Sequence, residues 1–270
     1  MRVALTIAGS DTSGGAGLQA DLKTFASLGV YGLSVTTAIT AQSTVGVVDA
    51  AALSADLVTA QIEAVAGDIE AHAAKTGMLG TAAIVEAVAA AIKELELPFL
   101  VVDPVLSSSR GDRLLDDDGV QMLCTELLPL AHVVTPNVPE AEVLSGKRID
   151  SDDDLKKAAR RIHDISTAAM IITGGHRPPP ANHRPPEVTD VLFDGHRFLE
   201  FHTARVDSGS AHGTGCTFAA AIAAYLALGR QLDDAAGRAQ RYVAGAIRNR
   251  LVIGHGQGLL NHFWGGILKE

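Results

Sequence analysis

Short apolar runs that alternate with longer helical patterns are the strongest constraint on how this 270-residue chain can fold. The runs with a strand-like pattern are Val3–Ala8, Ser34–Thr40, Phe99–Val102, His132–Thr135, Ala168–Thr173 and Val188–Phe193. The segments with a helix-like pattern are Gly17–Leu28, Ala55–Glu70, Ala82–Leu95, Asp118–Leu128, Asp153–Asp164 and Thr217–Leu228. This alternation predicts an α/β fold with a mainly parallel central sheet covered on both faces, in a single domain over residues 1–270.

The charge and composition exclude several classes of partner. The net charge is −9, whereas nucleic acid and anionic membranes attract proteins with an excess of Lys and Arg, so we expect neither as a partner. No apolar run reaches the roughly 18 residues of a membrane span, and the first residues do not read as a signal peptide. The two cysteines, Cys124 and Cys216, are too few for a disulfide framework, so we expect a cytoplasmic protein.

Glycine or polar residues follow four of the predicted strands. Gly9, Asp103 and Asn137 stand just beyond three of them, and Thr173 leads from the fourth into Gly174. Because ligands of open α/β sheets bind beyond the carboxyl ends of the strands, this pattern predicts a ligand site at one edge of the sheet.

The loop Gly9–Gly17 is the first candidate for holding that ligand. It has neither the spacing of the dinucleotide fingerprint nor the lysine of a P-loop, but glycine there permits positive φ and close approach of the backbone. A purely structural turn is the alternative. Asp21, one helical turn later, faces either the same cleft or the solvent.

The segment Gly213–Cys216 is the second candidate, because it opens the apolar helix that follows. Two glycines at a helix start expose N–H donors to an anion, and the helix dipole adds to the attraction. This arrangement suits the charge that develops on a transferring phosphoryl group, although a structural helix start is again the alternative.

Residues 177–187 hold five prolines and are expected to form an exposed loop. The alternative is a flap over a site, which would span residues 176–188.

Several motifs together resemble one family. Gly213–Cys216 and Asn137–Glu140 resemble the anion-hole signature and the N-x-x-E element of ribokinase-like kinases. The chain looks more closely like the hydroxymethylpyrimidine and phosphomethylpyrimidine kinases of thiamin biosynthesis. The segments that carry this resemblance are Ala8–Asp21, Thr40–Gln42, Lys75–Met78, Asp103–Val105 and Gly254–Gly258. The resemblance covers nearly the whole chain, and it implies a ribokinase-like three-layer α/β/α sandwich and a homodimer.

The same resemblance implies an enzyme that uses ATP and Mg²⁺ to phosphorylate 4-amino-5-hydroxymethyl-2-methylpyrimidine and then its monophosphate. Gln42 would hydrogen-bond the aminopyrimidine edge, and Met78 and Val105 would press on the ring. Gly9 and Asp21 would complete the substrate side. The alternatives are that Met78 belongs to the core and that Gln42 is an ordinary loop amide.

The remaining implied roles concern the nucleotide and the chemistry. Asp103 and Glu140 would act through Mg²⁺ and its waters, because this ion prefers carboxylate oxygen. The residues that would surround ATP are Asn137, Thr173, Gly174 and His176. The residues that would form the catalytic group are Gly213, Thr214, Gly215 and Cys216.

Two positions depart from the pattern of ribokinase-like kinases or of this branch. Cys216 stands where most ribokinase-like enzymes have an aspartate base, and a thiol at a helix N-terminus can be acidic enough to act as a thiolate base. Alternatively, Cys216 only positions the hydroxyl, or it is a buried structural residue. Thr173 stands where the branch usually has lysine, and His176 or Arg177 would have to supply the missing charge.

Two other functions remain open from the sequence. Pyridoxal or pyridoxine kinase is the alternative within the same enzyme class, because those substrates also carry a hydroxymethyl group on a nitrogen ring. A non-catalytic protein that binds the pyrimidine is the alternative from another class, suggested by the changes at Cys216 and Thr173. Retention of Asp103, Asn137 and Glu140 favours the kinase.

Overall fold

The computed structural model describes residues 1–108, 111–176, 187–206 and 211–266, and within them one nine-stranded sheet forms the centre of the molecule. Its order is β3-β2-β1-β4-β5-β6-β7-β8-β9. The strands are β1 (Val3–Asp11), β2 (Tyr31–Ser43), β3 (Gly46–Ala52), β4 (Ala73–Thr76), β5 (Leu100–Val102), β6 (Val133–Val134), β7 (Ala169–Ile172), β8 (Glu187–Phe193) and β9 (Phe198–Ala204). β2, β1, β4, β5, β6 and β7 run parallel, whereas β3, β8 and β9 join at the two edges as antiparallel strands.

Helices cover both faces of this sheet, as the sequence predicts. They are α1 (Gly17–Ser27), α2 (Ala55–Ala66), α3 (Ala82–Glu94), α4 (Asp117–Met122), α5 (Val138–Ser145), α6 (Asp152–Ser166), α7 (Thr214–Ala227) and α8 (Leu232–Arg248). One apolar core joins the sheet to α2, α3, α5 and α6, and a second joins its other face to α1, α7 and α8. The three-layer α/β/α architecture is therefore confirmed.

α7 is the most deeply buried helix near the predicted site. Every residue from Ala219 to Ala224 lacks exposed surface. Five of these six are alanines, whose small side chains let α7 lie close to the sheet between α1 and α8. The N-terminus of α7 is thereby fixed beside the carboxyl ends of β1, β4 and β5.

Several sequence-based boundaries were wrong. β1 continues past Ala8 to Asp11, the helix predicted over Asp118–Leu128 ends at Met122 and continues as a π-helical turn, and α7 begins before Thr217. The pattern also missed β3, β4, β9, α5 and α8. Of the predicted flap over 176–188, residues 177–186 lie outside the described residues, and 187–188 belong to β8.

A short parallel ribbon ties the C-terminal segment to the start of α7. β10 (Ala211–His212) pairs with β11 (Gly258–Leu259). Among the described residues, no helix has the length and apolar content needed to cross a bilayer.

Candidate active site

The predicted strand-end residues meet at one edge of the sheet. Backbone hydrogen bonds link successive strand ends: Asp103 N donates to Thr76 O at 3.0 Å, and Thr173 N donates to Pro136 O at 3.0 Å. Gly9 lies within β1, next to β4 in the sheet. The strand ends of β1, β4, β5, β6 and β7 therefore form a continuous floor, in the order in which they stand in the sheet.

Gly9 and Met78 lie against each other on the substrate side of this floor. A Cβ atom at Gly9 would lie 2.3 Å from Met78 Cε, so the end of the methionine side chain packs directly on the glycine and would have to shift for any larger residue. Met78 is half-buried, and its carbonyl accepts a hydrogen bond from Thr37 Oγ1 at 2.7 Å. The loop Gly9–Gly17 does use the positive φ that glycine permits, at Gly14 and Gly17, whereas Gly9 itself does not have positive φ.

Gln42 lies at the end of β2 and joins a polar chain across the site. Its side-chain oxygen accepts from Thr40 Oγ1 at 3.1 Å, and its Nε2 lies 3.0 Å from His212 Nε2. The same ring nitrogen lies 3.0 Å from Asp11 Oδ2. Because this ring nitrogen donates to the Asp11 carboxylate, Gln42 Nε2 lies beside it without accepting or donating a hydrogen bond, and Thr40 is the partner that holds the Gln42 side chain.

Asp11 is the acidic end of this chain and was assigned no role from the sequence. Burial alone would raise its pKa, but hydrogen bonds from His212, Ser13 and the backbone of Ala16 outweigh burial and lower the pKa to about 2. Asp11 is therefore an ionised carboxylate that orients His212 next to Gln42. The signal in the sequence was its position directly beyond a strand end.

The N-terminus of α7 has the geometry of an anion site. Gly213 has φ 87°, and a Cβ atom there would lie 1.9 Å from Gly15 O, so glycine is required on both counts. Gly215 is exposed, and a Cβ atom there would have no atom within 4 Å. No side-chain cap bonds the start of α7 in the described residues. The first amides of the helix, from Thr214 onward, are left to a ligand in the open space at Gly215.

Two buried carboxylates stand beside this helix start. Burial, and to a smaller extent Asp21, raise the pKa of Asp103 to about 6, against the opposing effects of Lys75 and Cys216. Burial and the nearby Asp103 raise the pKa of Glu140 to about 8. A nearby cation would favour the ionised form of each of these carboxyls, so both are candidates for binding a cation.

These carboxylates fit Mg²⁺. Asp103 Oδ2 is buried and has no hydrogen-bond partner among the described residues, so a hard oxygen ligand is available. The described residues contain no group of three His, Cys, Asp or Glu side chains arranged around a metal. A pair is what Mg²⁺ usually needs, because substrate phosphates and waters complete its coordination.

Asn137 and Glu140 also build the start of α5. Asn137 Oδ1 accepts from Glu140 N at 3.0 Å, and Glu140 Oε2 accepts from Asn137 N at 2.8 Å, which is a complete capping box. The Asn137 amide nitrogen and the second Glu140 oxygen take no part in this box. Val105, half-buried after β5, lines a cavity of about 10 Å³ with Asp103.

Asp21 lies beneath the site instead of in the cleft or on the surface. It has no exposed surface; it accepts from Lys75 Nζ at 2.9 Å and from Thr6 Oγ1 at 2.6 Å. Both sequence-based positions for Asp21 were therefore wrong. Lys75, which sequence reasoning missed, is also completely buried, and its Nζ lies 3.9 Å from Asp103 Oδ2. The available signal was a lysine inside the short apolar segment Ala73–Thr76.

Cys216 does not have the acidic thiol that its helix position suggested. The residue is half-buried, but its thiol faces inward, and burial together with Asp103 and Asp21 raises the pKa of the thiol to about 12 despite the opposing Lys75. This raised pKa disfavours the thiolate base and favours the alternative in which a neutral Cys216 positions the hydroxyl. The thiol interacts with the Asp103 carboxyl and lowers the pKa of that group.

The loop after β7 is tied down on both sides. Gly174 N donates to the buried Asp190 Oδ1 at 2.9 Å, so this amide is already occupied. Arg205 Nη1 donates to Gly175 O at 3.2 Å, which puts a cation against the loop where Thr173 replaces lysine. Sequence reasoning missed both Asp190 and Arg205. The side chain of His176 and all of Arg177 lie outside the described residues.

The parallel floor, the open helix start and the buried acids define a ribokinase-like small-molecule kinase. The model of the phosphomethylpyrimidine kinase family matches residues 11–261. The chain belongs to the phosphomethylpyrimidine kinase family.

Relatives and solved structures agree with this membership. The hydroxymethylpyrimidine/phosphomethylpyrimidine kinase of Bacillus subtilis is 46% identical over 260 residues, covering 96% of this chain and 94% of that protein. The thiamine biosynthesis bifunctional protein of Geobacter sulfurreducens is 45% identical over 96% of this chain, which spans 51% of that protein. The crystal structure of phosphomethylpyrimidine kinase from Clostridium difficile superposes with a TM-score of 0.80 at 38% identity, covering 92% of this chain and 100% of that one.

A pyridoxal kinase has a similar structure. The enzyme from Staphylococcus aureus, solved in complex with ADP, superposes with a TM-score of 0.89 at 38% identity, covering 100% of this chain and 96% of that one. Shape therefore does not separate the two substrate classes.

Proposed function

We propose that this protein is a hydroxymethylpyrimidine/phosphomethylpyrimidine kinase of thiamin biosynthesis. It transfers the γ-phosphoryl group of ATP to the hydroxymethyl oxygen of 4-amino-5-hydroxymethyl-2-methylpyrimidine and then phosphorylates the monophosphate. The observation that carries the proposal is the uncapped start of α7 at Gly213–Cys216, which stands beside the buried acid Asp103.

The substrate side supports a flat aminopyrimidine. Gln42 offers both an amide donor and an acceptor to the ring edge, and Thr40 Oγ1 donates to its side-chain oxygen. Met78 packs on Gly9 and presents a soft thioether to a ring. Val105 presents an apolar surface from the neighbouring strand end.

The mechanism is in-line attack of the hydroxyl oxygen on the γ-phosphorus, with the developing charge stabilised by the amides of Thr214–Cys216. Mg²⁺, when bound at Asp103 and Glu140, supplies positive charge to the nucleotide phosphates. Phosphoryl transfer has a loose transition state, so the nucleophile needs little activation by a base. The neutral Cys216 thiol then positions the hydroxyl, and the proton passes to a phosphate oxygen or to water.

The nucleotide lies on the side of β6 and β7. Asn137 follows β6 at the start of α5, and the loop from Thr173 to Gly175 borders the same edge. Arg205 provides the cation that Thr173 lacks. Because Gly174 N is bonded to Asp190, we assign the loop's contribution to its position and not to that amide.

Measurement of ADP release with the pyrimidine alcohol, the pyrimidine monophosphate and pyridoxal tests the proposal. We expect kcat/KM to be highest with the two pyrimidines. A clear preference for pyridoxal would assign the chain to the second candidate, which the similarity to Staphylococcus aureus pyridoxal kinase favours. Tight pyrimidine binding without any ADP release would show that the chain is a non-catalytic pyrimidine-binding protein.

We also propose a homodimer in the cytoplasm. The edge strand β3 is exposed along nearly its whole length, with Val47 51% and Val48 86% exposed, and such an apolar edge strand favours pairing with a second chain. Sedimentation equilibrium should give twice the chain mass, and Val48→Lys should shift the protein towards monomer. A wild-type monomer at micromolar concentration would contradict the dimer.

A further inference from the structure

We propose that Lys75 is a positioning residue for phosphoryl transfer. Its buried ammonium keeps the Asp103 and Cys216 side chains in place under the N-terminus of α7 and supplies a positive charge there. The inference rests on the proposed kinase function. It assigns a role to a residue that does not touch the substrate.

The position of Lys75 is fixed by atoms of four elements. Its Nζ donates to Asp21 Oδ2 of α1 at 2.9 Å and lies 3.9 Å from Asp103 Oδ2, beyond β5. A Cβ atom at Gly77 would lie 2.7 Å from Nζ, so the ammonium lies directly against the backbone that leads to the substrate side. It also interacts electrostatically with Cys216, at the start of α7.

Balancing Asp21 does not by itself explain this lysine. A buried ion pair stabilises a fold weakly, because both charges lose their hydration, and an apolar pair of similar volume often serves as well. Asp21 lies on the side away from the ligand, with Thr6 as its second partner. Asp103 and Cys216 lie on the ligand side of Lys75. The ammonium therefore links the buried pair to the two groups next to the reaction.

The Lys75 ammonium offsets negative charge at the site. Asp103, whose pKa of about 6 leaves it mostly ionised at neutral pH, brings negative charge to a point that must also accept the γ-phosphate of ATP. The Lys75 ammonium lies beneath the site and reduces this repulsion between carboxylate and phosphate. Its charge acts strongly because the protein around it excludes water. At 3.9 Å the ammonium is too far from Asp103 Oδ2 for a hydrogen bond, so this oxygen keeps its capacity as a ligand.

The test removes the charge and keeps the packing. Lys75→Gln combined with Asp21→Asn leaves a neutral amide pair that can retain the hydrogen bond, and Lys75→Met with Asp21→Asn leaves an apolar side chain of similar length. Both are compared with Asp21→Asn alone, which keeps the ammonium. Lys93→Met, at an exposed position of α3, is the control for a lysine replaced elsewhere.

We expect both double variants to fold and to lose about 10²-fold in kcat relative to Asp21→Asn, the size of losing one fixed electrostatic group. KM for the pyrimidine should stay within about threefold, because Lys75 does not contact it. Far-UV circular dichroism and thermal melts establish that each variant is folded. A role in folding alone would lower the melting temperature and leave kcat of the folded protein unchanged.

Two results would overturn the inference. One is a kcat within about threefold of Asp21→Asn in either folded double variant. The other is the failure of both double variants to fold while Asp21→Asn folds, which would assign Lys75 to stability alone. Failure of the proposed function looks different, because the wild-type protein would then release no ADP with either pyrimidine.

Discussion

The neutral thiol of Cys216 leads to a quantitative prediction about its reactivity. Burial and the neighbouring acids raise the pKa of the thiol from an ordinary 9.0 to about 12. Three pKa units correspond to a factor of about 10³ in the thiolate population at any pH well below 9. Because only the thiolate is alkylated, Cys216 should react about 10³-fold more slowly in the folded protein than in the unfolded chain.

Alkylation by iodoacetamide, followed by mass spectrometry between pH 7 and 10, measures this difference. The protein carries Cys124→Ala, which removes the other cysteine, and EDTA keeps it free of metal. The same protein in urea provides the ordinary thiol as the reference. A folded rate within about tenfold of the unfolded rate, or a titration midpoint below 9, would refute the argument from burial.

The kinetic counterpart is a comparison of Cys216→Ser with Cys216→Ala. Serine keeps a neutral donor for Asp103, so we expect kcat to stay within about tenfold of wild type, whereas alanine removes the donor and should cost more. If Cys216 acts as a thiolate base, Cys216→Ser should instead lose most of the rate, and Cys216→Asp should restore part of it. That result would assign the role of general base to Cys216.

Three further predictions concern other parts of the site and its support. Gly213→Ala would bring a Cβ atom to 1.9 Å from Gly15 O, so kcat should fall about 10²-fold and the melting temperature should also drop. Asp190→Ala leaves the Gly174 amide without its acceptor, and KM for ATP should rise while KM for the pyrimidine stays constant. Burial, with a smaller effect of a nearby lysine, lowers the pKa of His262 from 6.5 to about 4. Between those pH values the unfolded chain binds the extra proton, so the free energy of unfolding should fall by about 3 kcal/mol as the pH drops; urea titrations of wild type and His262→Asn at pH 7 and 4 check this.

Sequence reasoning predicted the elements whose pattern is local. β1, β5 and β7 contain short apolar runs that lead into Gly9, Asp103 and Thr173-Gly174, and their burial on both faces of the sheet gives them that pattern. β4 was missed, although it lies at the centre of the sheet, because Lys75 breaks its apolar run. A buried lysine cannot be predicted from its neighbours, since its partner Asp21 lies 54 residues earlier in the chain.

The errors at the site have the same origin. Position at a helix N-terminus suggested an acidic Cys216, but the pKa is decided by burial and by Asp103, which arrives from a different strand. The pattern also placed Asp21 on the cleft or the surface, because helical spacing shows which residues share a face and not what covers that face. Residues that pack across the chain, such as Arg205 on Gly175, leave no local signal.

The contact between Gly213 and the loop at Gly15 has a consequence for protein synthesis. The loop at Gly15 is translated early, but the anion site arrives with α7, about 200 residues later. A growing chain on the ribosome therefore cannot bind nucleotide productively until α7 has emerged and docked against that loop. Since β11 pairs with β10 beside His212, a segment translated after α7 also packs next to the site. A ligand that binds there should protect the whole chain from proteases and not only its C-terminal third.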